Sequence, residues 1–266
     1  MAFDLPVTEL EAPAPGTRVR GFVDAVTWVG DEALARRSLT GSQARPSEEL
    51  ADLNAYVLDA SKTATESPGY LDSVTTTQYL RRQFSTGEAT RDQAVTRTRA
   101  AFDAGVELAV TTAWIDDAAT VVLSTVDSAT EALSCLERAL STITRSTGLI
   151  LAPPAAAAYL NAIRVEETSP LGHQVVYSPG ATPATERSDL MAPPTELTLY
   201  GMAQPFGVRT EPMVTSSTVG DDFDFELNSI FVTVEATWSI NVAAHILSAS
   251  PVAQMFSVTI DLGGGS

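Results

Sequence analysis

The amino-acid sequence predicts an α+β chain in which helices and strands are mixed along the whole length. Three observations predict it. Two stretches carry apolar residues at helical spacing behind capping signals, one from Thr90 and one from Ser128. One late stretch, Val232 to Val242, alternates apolar and polar residues strictly, as a half-buried strand does. Short apolar runs bounded by Gly and Pro, such as Leu149-Ile150-Leu151-Ala152, read as buried strands. No repeat of fixed period occurs, and no Pro/Gly linker cuts the 266 residues into independent domains.

In chain order, residues 1–16 are rich in Pro and acids and read as an extended arm without a core of its own. Arg18 to Val29 is a short apolar segment, strand or turn. Pro46-Ser47-Glu48-Glu49 opens a helical pattern with Leu50, Leu53, Val57 and Leu58 on one face. Residues 61–89 set Ser, Thr and Gly around Tyr70, Tyr79, Leu80 and Phe84, and read as a loop or hairpin projecting from the body. Lacking the apolar periodicity needed to fold back onto the body, this segment is expected to be held by other copies of the chain, with Tyr70, Tyr79 or Phe84 losing surface chiefly to them.

Thr90 and Gln93 form a capping box for a helix carrying Val95, Phe102, Val106 and Ala109. Gly105 within it costs about 1 kcal/mol relative to Ala, which argues against an unbroken helix. Ala119 to Leu123 reads as a short strand. Ser128 and Glu131 open the next helix, whose stripe of Ala132, Leu133, Leu136, Leu140 and Ile143 runs to a stop at Gly148. After the strand 149–152, Pro153-Pro154 starts a short helix through Leu160. Gln174 to Tyr177, Leu197 to Tyr200, Phe206 to Val208, Val232 to Val242 and Met255 to Leu262 are strands, and Gly263-Gly264-Gly265-Ser266 is a flexible tail.

Composition narrows the function. Acids outnumber bases 33 to 16, a net charge of −17, and no Lys or Arg follows Arg209. Such a surface repels phosphates and leaves no footprint for direct nucleic-acid binding; it suits solubility, and it also suits a container that must not cling to DNA. No stretch is apolar enough to span a bilayer, and the start at Met1 carries no secretory signal. A single cysteine, Cys135, allows no intrachain disulfide, and with only His173 and His245 beside it the sequence argues against a Cys/His zinc site.

Catalytic constellations are absent from the sequence. No Gly-x-Ser-x-Gly elbow and no phosphate loop occurs, and both histidines read as strand-end residues. The sharpest candidate is Asp221-Asp222-Phe223-Asp224-Phe225-Glu226, where acids at spacing two share one side of a strand and offer oxygen ligands to a hard cation. The alternative is a solvated edge with Phe223 and Phe225 facing the core. It is favoured because a calcium loop also needs a glycine at a set position.

From Ser128 onward, five features stand in a particular order. A helix (Ser128–Ser141) leads to a strand and a proline-opened helix (Leu149 to Leu160, with Pro153 and Pro154). Then come Leu171-Gly172-His173-Gln174-Val175-Val176, the return strand Leu197 to Gly201, and an acidic-aromatic stretch (Asp222-Phe223, Asn228) before a strand bearing Glu235. This order resembles the C-terminal half of tailed-phage major capsid proteins of the Hong Kong 97 type.

The resemblance implies a Hong Kong 97-type capsid fold: arm and first helix (1–60), extended loop (61–89), spine helix and start of the peripheral domain (90–126), axial domain (127–220), and peripheral return strands with the tail (221–266). Pro153, Pro154, Gly172, Asn228 and Glu235 are its matching positions. It implies a non-enzymatic shell subunit without cofactor or metal. Such a subunit assembles with itself into hexamers and pentamers in the host cytoplasm and ends in the virion, enclosing double-stranded DNA without specific binding and without a membrane. Scaffold, portal and decoration proteins are the expected partners. The short arm points to a separate scaffold or none. A lone lysine, Lys62, argues against the lysine–asparagine cross-link of some relatives. The alternatives are an encapsulin-type nanocompartment shell, a tail-tube or head-completion protein, and a metal-dependent hydrolase using residues 221–226.

Overall fold

The computed structural model describes residues 21–28, 43–44, 71–85, 89–144, 147–183, 193–216, 229–242 and 253–263. The expected arm, the helix after Pro46, Tyr70, Lys62, residues 221–226, Asn228, His245 and residues 264–266 lie outside them.

Strand β11 (Ser229–Val242) organises the first of two five-stranded sheets. Along one side it pairs antiparallel with β4 (Val74–Ser85), from Ser229↔Ser85 to Ile240↔Val74. Along the other side β10 (Met213–Ser216) takes one half and β9 (Pro205–Arg209) the other. Strand β1 (Thr27–Trp28) adds parallel to β9. The alternation read from the sequence has its cause here: Val232, Val234, Ala236, Trp238, Ile240 and Val242 are all buried, while Glu235 between them is exposed.

Beneath that apolar face lies the 27-residue helix α2 (Arg91–Asp117); the short helix α1 is Phe22–Ala25. Both halves of the expected capping box form: the Gln93 N–H donates to Thr90 Oγ1 at 3.4 Å and the Thr90 N–H to Gln93 Oε1 at 2.9 Å. Its buried stripe is Ala94, Thr98, Phe102, Val106, Val110 and Trp114. Gly105 does not break the helix; it sits on the exposed side with open space where a Cβ would project. The Phe102 ring stacks on Trp238 at 6.1 Å between centroids.

The second sheet runs β5 (Thr120–Val126), β12 (Met255–Asp261), β8 (Glu196–Met202), β6 (Leu149–Ala152), β7 (Gln174–Tyr177). Apart from the edge strand β5, it is largely buried on both faces. Leu149, Leu151, Val176, Met202 and Met255 join the core around α2. Ile150, Ala152, Val175, Leu197, Leu199, Val258 and Ile260 pack with Leu133, Leu136 and Leu140 of α3 (Ala129–Ile143). A strand covered on both sides has no polar face to show, so Leu-Ile-Leu-Ala is a continuous apolar run. Pro154 opens the one-turn 3-10 segment leading into α4 (Ala157–Ala162), as the two prolines predict. No helix among the described residues is long and apolar enough to cross a membrane.

Four expectations need correction. Residues 74–85 are not part of a projecting loop: they are a sheet strand, with Val74, Leu80 and Phe84 turned to the core side and Thr75, Thr77, Tyr79 and Gln83 outward. The run of threonines reads as loop by composition, but Thr is β-branched and suits a half-buried strand. Among the described residues only β2 (Gln43–Ala44) and β3 (Leu71–Asp72) pair as a separate two-stranded ribbon. Boundaries at 127 and 221 do not follow the sheets, because β5 and β12 join the second sheet while β9 and β10 join the first. Gly148 is not the stop of α3, which ends at Ile143. Glycine is needed there because a Cβ would meet the Met202 carbonyl at 2.8 Å and His173 Nδ1 at 3.2 Å. The fourth correction concerns Phe84 and follows with the surfaces.

Candidate assembly surfaces

The outward face of the first sheet is a polar surface built by regular pairing. Register places Thr75 opposite Ser239, Thr77 opposite Thr237 and Gln83 next to Ser229, and their side chains hydrogen-bond at 2.9, 2.8 and 2.9 Å. Arg81 lies over the Phe231 ring at 4.7 Å. At the centre of this face one row crosses three strands: Tyr79, Glu235 and Met213 stand directly opposite one another. Tyr79 is 72 % exposed and Met213 60 % exposed. Large side chains presented on a rigid, hydrogen-bonded sheet are suited to contact another surface.

Phe84, expected to meet other copies, is instead 6 % exposed and packs with Ala89, Ala94 and Val232 of its own chain. Its period-two position on β4 turns it inward, whereas Tyr79, an odd number of residues away, faces outward. Gly172 has φ of 86°, the left-handed region, and its N–H closes a turn onto the Ser169 carbonyl at 2.9 Å.

His173 proves to be a buried latch. Its Nδ1 accepts the Gly148 N–H at 2.9 Å, and its own N–H donates to Ser169 Oγ at 3.2 Å. Burial lowers its pKa, and the Glu137 carboxylate pulls partly the other way. Glu137 is itself held, its Oε1 accepting the Leu171 N–H at 2.9 Å.

An anchor that sequence reasoning missed joins the two ends of this assembly. Glu107 of α2 accepts the Phe22 N–H at 2.7 Å and the Val23 N–H at 2.9 Å, taking the first N–H groups of α1. The Ser178 hydroxyl donates to Thr111 Oγ1 at 3.0 Å, and the Thr111 hydroxyl donates to Glu107 Oε1 at 3.1 Å. One chain of hydrogen bonds thus ties α1, α2 and the end of β7 together. Among the described residues no group of three or more His, Cys, Asp or Glu side chains is placed to hold a metal ion.

No protein-family model matches the sequence, and no curated protein does. Solved structures do match over nearly the whole length. A chain from the capsid of an empty GTA particle aligns with a TM-score of 0.55 at 10 % identity, covering 96 % of this chain and 95 % of that one. A chain of Mycobacterium phage Che8 aligns at 0.54 and 10 % identity, covering 97 % and 98 %. The fold is the Hong Kong 97 capsid fold. The holo-SrpI encapsulin complex from Synechococcus elongatus aligns at 0.52 and 11 % identity, covering 98 % and 93 %. On the Hong Kong 97 fold α2 is the long helix between the sheets, and the row through Tyr79, Glu235 and Met213 lies on the sheet face turned away from it.

Proposed function

We propose that this chain is the major capsid protein of a tailed phage, a structural subunit that assembles with itself in hexamers and pentamers into an icosahedral shell around double-stranded DNA. The observation that carries the reading is the match of the whole two-sheet fold, at 96 % coverage, to a chain from an assembled capsid. Physical features support it. A closed shell needs one chain to make several different contacts, and the outward face of β4, β11 and β10 offers one, with Tyr79, Glu235 and Met213 as its contact row. The net charge of −17 suits a wall that does not hold its contents. The virion is the proposed location, after assembly in the host cytoplasm, with scaffold, portal and decoration proteins as partners and no catalytic role.

The likeness to an encapsulin complex favours one second reading, a nanocompartment shell of the same architecture. Negative-stain imaging of the purified protein tests both. Closed particles containing nucleic acid are expected; closed particles filled with protein cargo favour the nanocompartment, and monomers or open tubes refute a shell.

A further inference from the structure

The two edges of the second sheet are treated differently. At the β7 edge the chain covers itself: the Val175 N–H donates to the Glu167 carbonyl at 2.8 Å, and Thr168 bridges Gln174. At the other edge, among the described residues, β5 pairs only with β12 and ends the sheet. Its sequence, Thr-Val-Val-Leu-Ser-Thr-Val, has no charge between Asp117 and Asp127, no Pro and no Gly. Proteins normally blunt such edges with Lys, Pro or a covering segment, because a bare β-branched edge templates pairing with another chain. Val122 is 74 % exposed there.

The one irregularity of β5 serves a groove. Register slips between Val122↔Ser257 and Ser124↔Val258, leaving Leu123 in a bulge, 36 % exposed. Leu123 lines a groove of about 420 Å³ with Ser124, Cys135, Ala139, Thr142 and Phe256, and Arg138 is its only charged wall. A free strand edge beside a side-chain groove is the arrangement that accepts an added strand: main-chain hydrogen bonds supply affinity and the groove supplies selectivity.

We propose that the β5 edge is completed by an extended segment of a second copy of this chain, seated with an acidic side chain against Arg138. Charge identifies the occupant. A chain with 33 acids to 16 bases complements a lone arginine, and the same excess repels nucleic acid. The segment is not the neighbour's own β5, which carries no acid from Thr120 to Val126. The contact is therefore heterologous, and such contacts close rings when the rotation allows. The inference rests on the shell reading and adds to it which edge joins neighbouring copies.

The test uses the full chain and its Val122→Lys variant, with amide hydrogen exchange across 120–126 in associated and dissociated wild type. Expected are an unchanged melting temperature for the variant, since the position is exposed, loss of particles to monomers, and slowed exchange of β5 in wild-type particles. Particle formation by Val122→Lys at wild-type yield overturns the inference and leaves the shell reading intact, as does exchange across 120–126 that association leaves unchanged. If the wild type forms oligomers but no closed particles, and these still protect 120–126, the edge contact stands and the shell reading falls. A wild type that stays monomeric, with fast exchange in β5, defeats both. Should Val122→Lys misfold by circular dichroism, the exchange arm alone decides.

Discussion

The two sheets solve opposite problems. The inner strands of the second sheet are buried on both faces, between α2 and α3, and nearly every residue of β6, β8 and β12 is apolar where it is covered. The first sheet buries one face on α2 and turns the other outward as a lattice of Ser, Thr, Gln and Arg with Tyr79 and Met213 standing above it. Burial is what stabilises, at about 25 cal/mol per Å² of apolar surface, so the second sheet and its helices hold the chain together. An outward face built on cross-strand hydrogen bonds adds little to stability but keeps its side chains in fixed places. Rigidity in one sheet thereby serves presentation in the other.

If that division is right, Leu136→Ala in the fully buried α3 contact loses about 2–5 kcal/mol, read by denaturant unfolding. A loss near zero would mean that α3 is not part of the stabilising core. Next in size is Glu107→Ala, which strips the acceptor from two backbone N–H groups and costs about 1–3 kcal/mol. Its signature is local: hydrogen exchange accelerates at Phe22 and Val23 while β6 and β8 stay protected. Uniform acceleration would show that α1 and both sheets unfold as one unit.

Acid sharpens the contrast further. His173 is held neutral by burial, with its pKa below the ordinary 6.5, so the unfolded chain binds the proton more readily. The stability it contributes is present above pH 6.5 and is lost as pH falls through the folded-state value. Protonation also places a hydrogen on Nδ1, where the Gly148 N–H already points. Melting temperature is expected to fall between pH 7 and pH 5, and His173→Asn, whose side-chain oxygen keeps an acceptor, is expected to flatten that fall. An equal slope in both proteins would assign the acid sensitivity elsewhere. Smallest of all is Tyr79→Ser: stability stays within about 0.5 kcal/mol because the ring is exposed, while the yield of assembled particles drops. A large stability loss there would make the outward face part of the core.

What the sequence made legible was local. The Thr90–Gln93 capping box, the proline-opened turn at Pro154 and the alternation of β11 each rest on signals within a few residues, and each formed. The strand 74–85 was hidden because its partner lies beyond residue 228, and without that partner the run Thr75-Thr76-Thr77 looks like loop. Glu107 carried no signal at all, since a glutamate on a helix is ordinary until the N–H groups it receives, 84 and 85 residues away, are brought to it. The bareness of β5 was illegible for the reverse reason: Val121-Val122-Leu123 reads as an interior strand, and only the sheet order shows that no second described strand flanks it.

The placing of β11 and β12 also sets a clock on synthesis. The strand that organises the first sheet is residues 229–242, and the strand that joins β5 to the second is residues 255–261. Each sheet stays incomplete until residues 229–242 or 255–261 have left the ribosome. Pairings across such long separations close slowly, because the intervening chain must first be brought together. A nascent chain thus has α2 and α3 available early but neither sheet complete. The outward row of Tyr79, Glu235 and Met213 and the pairing of β5 are therefore built only when these late strands arrive.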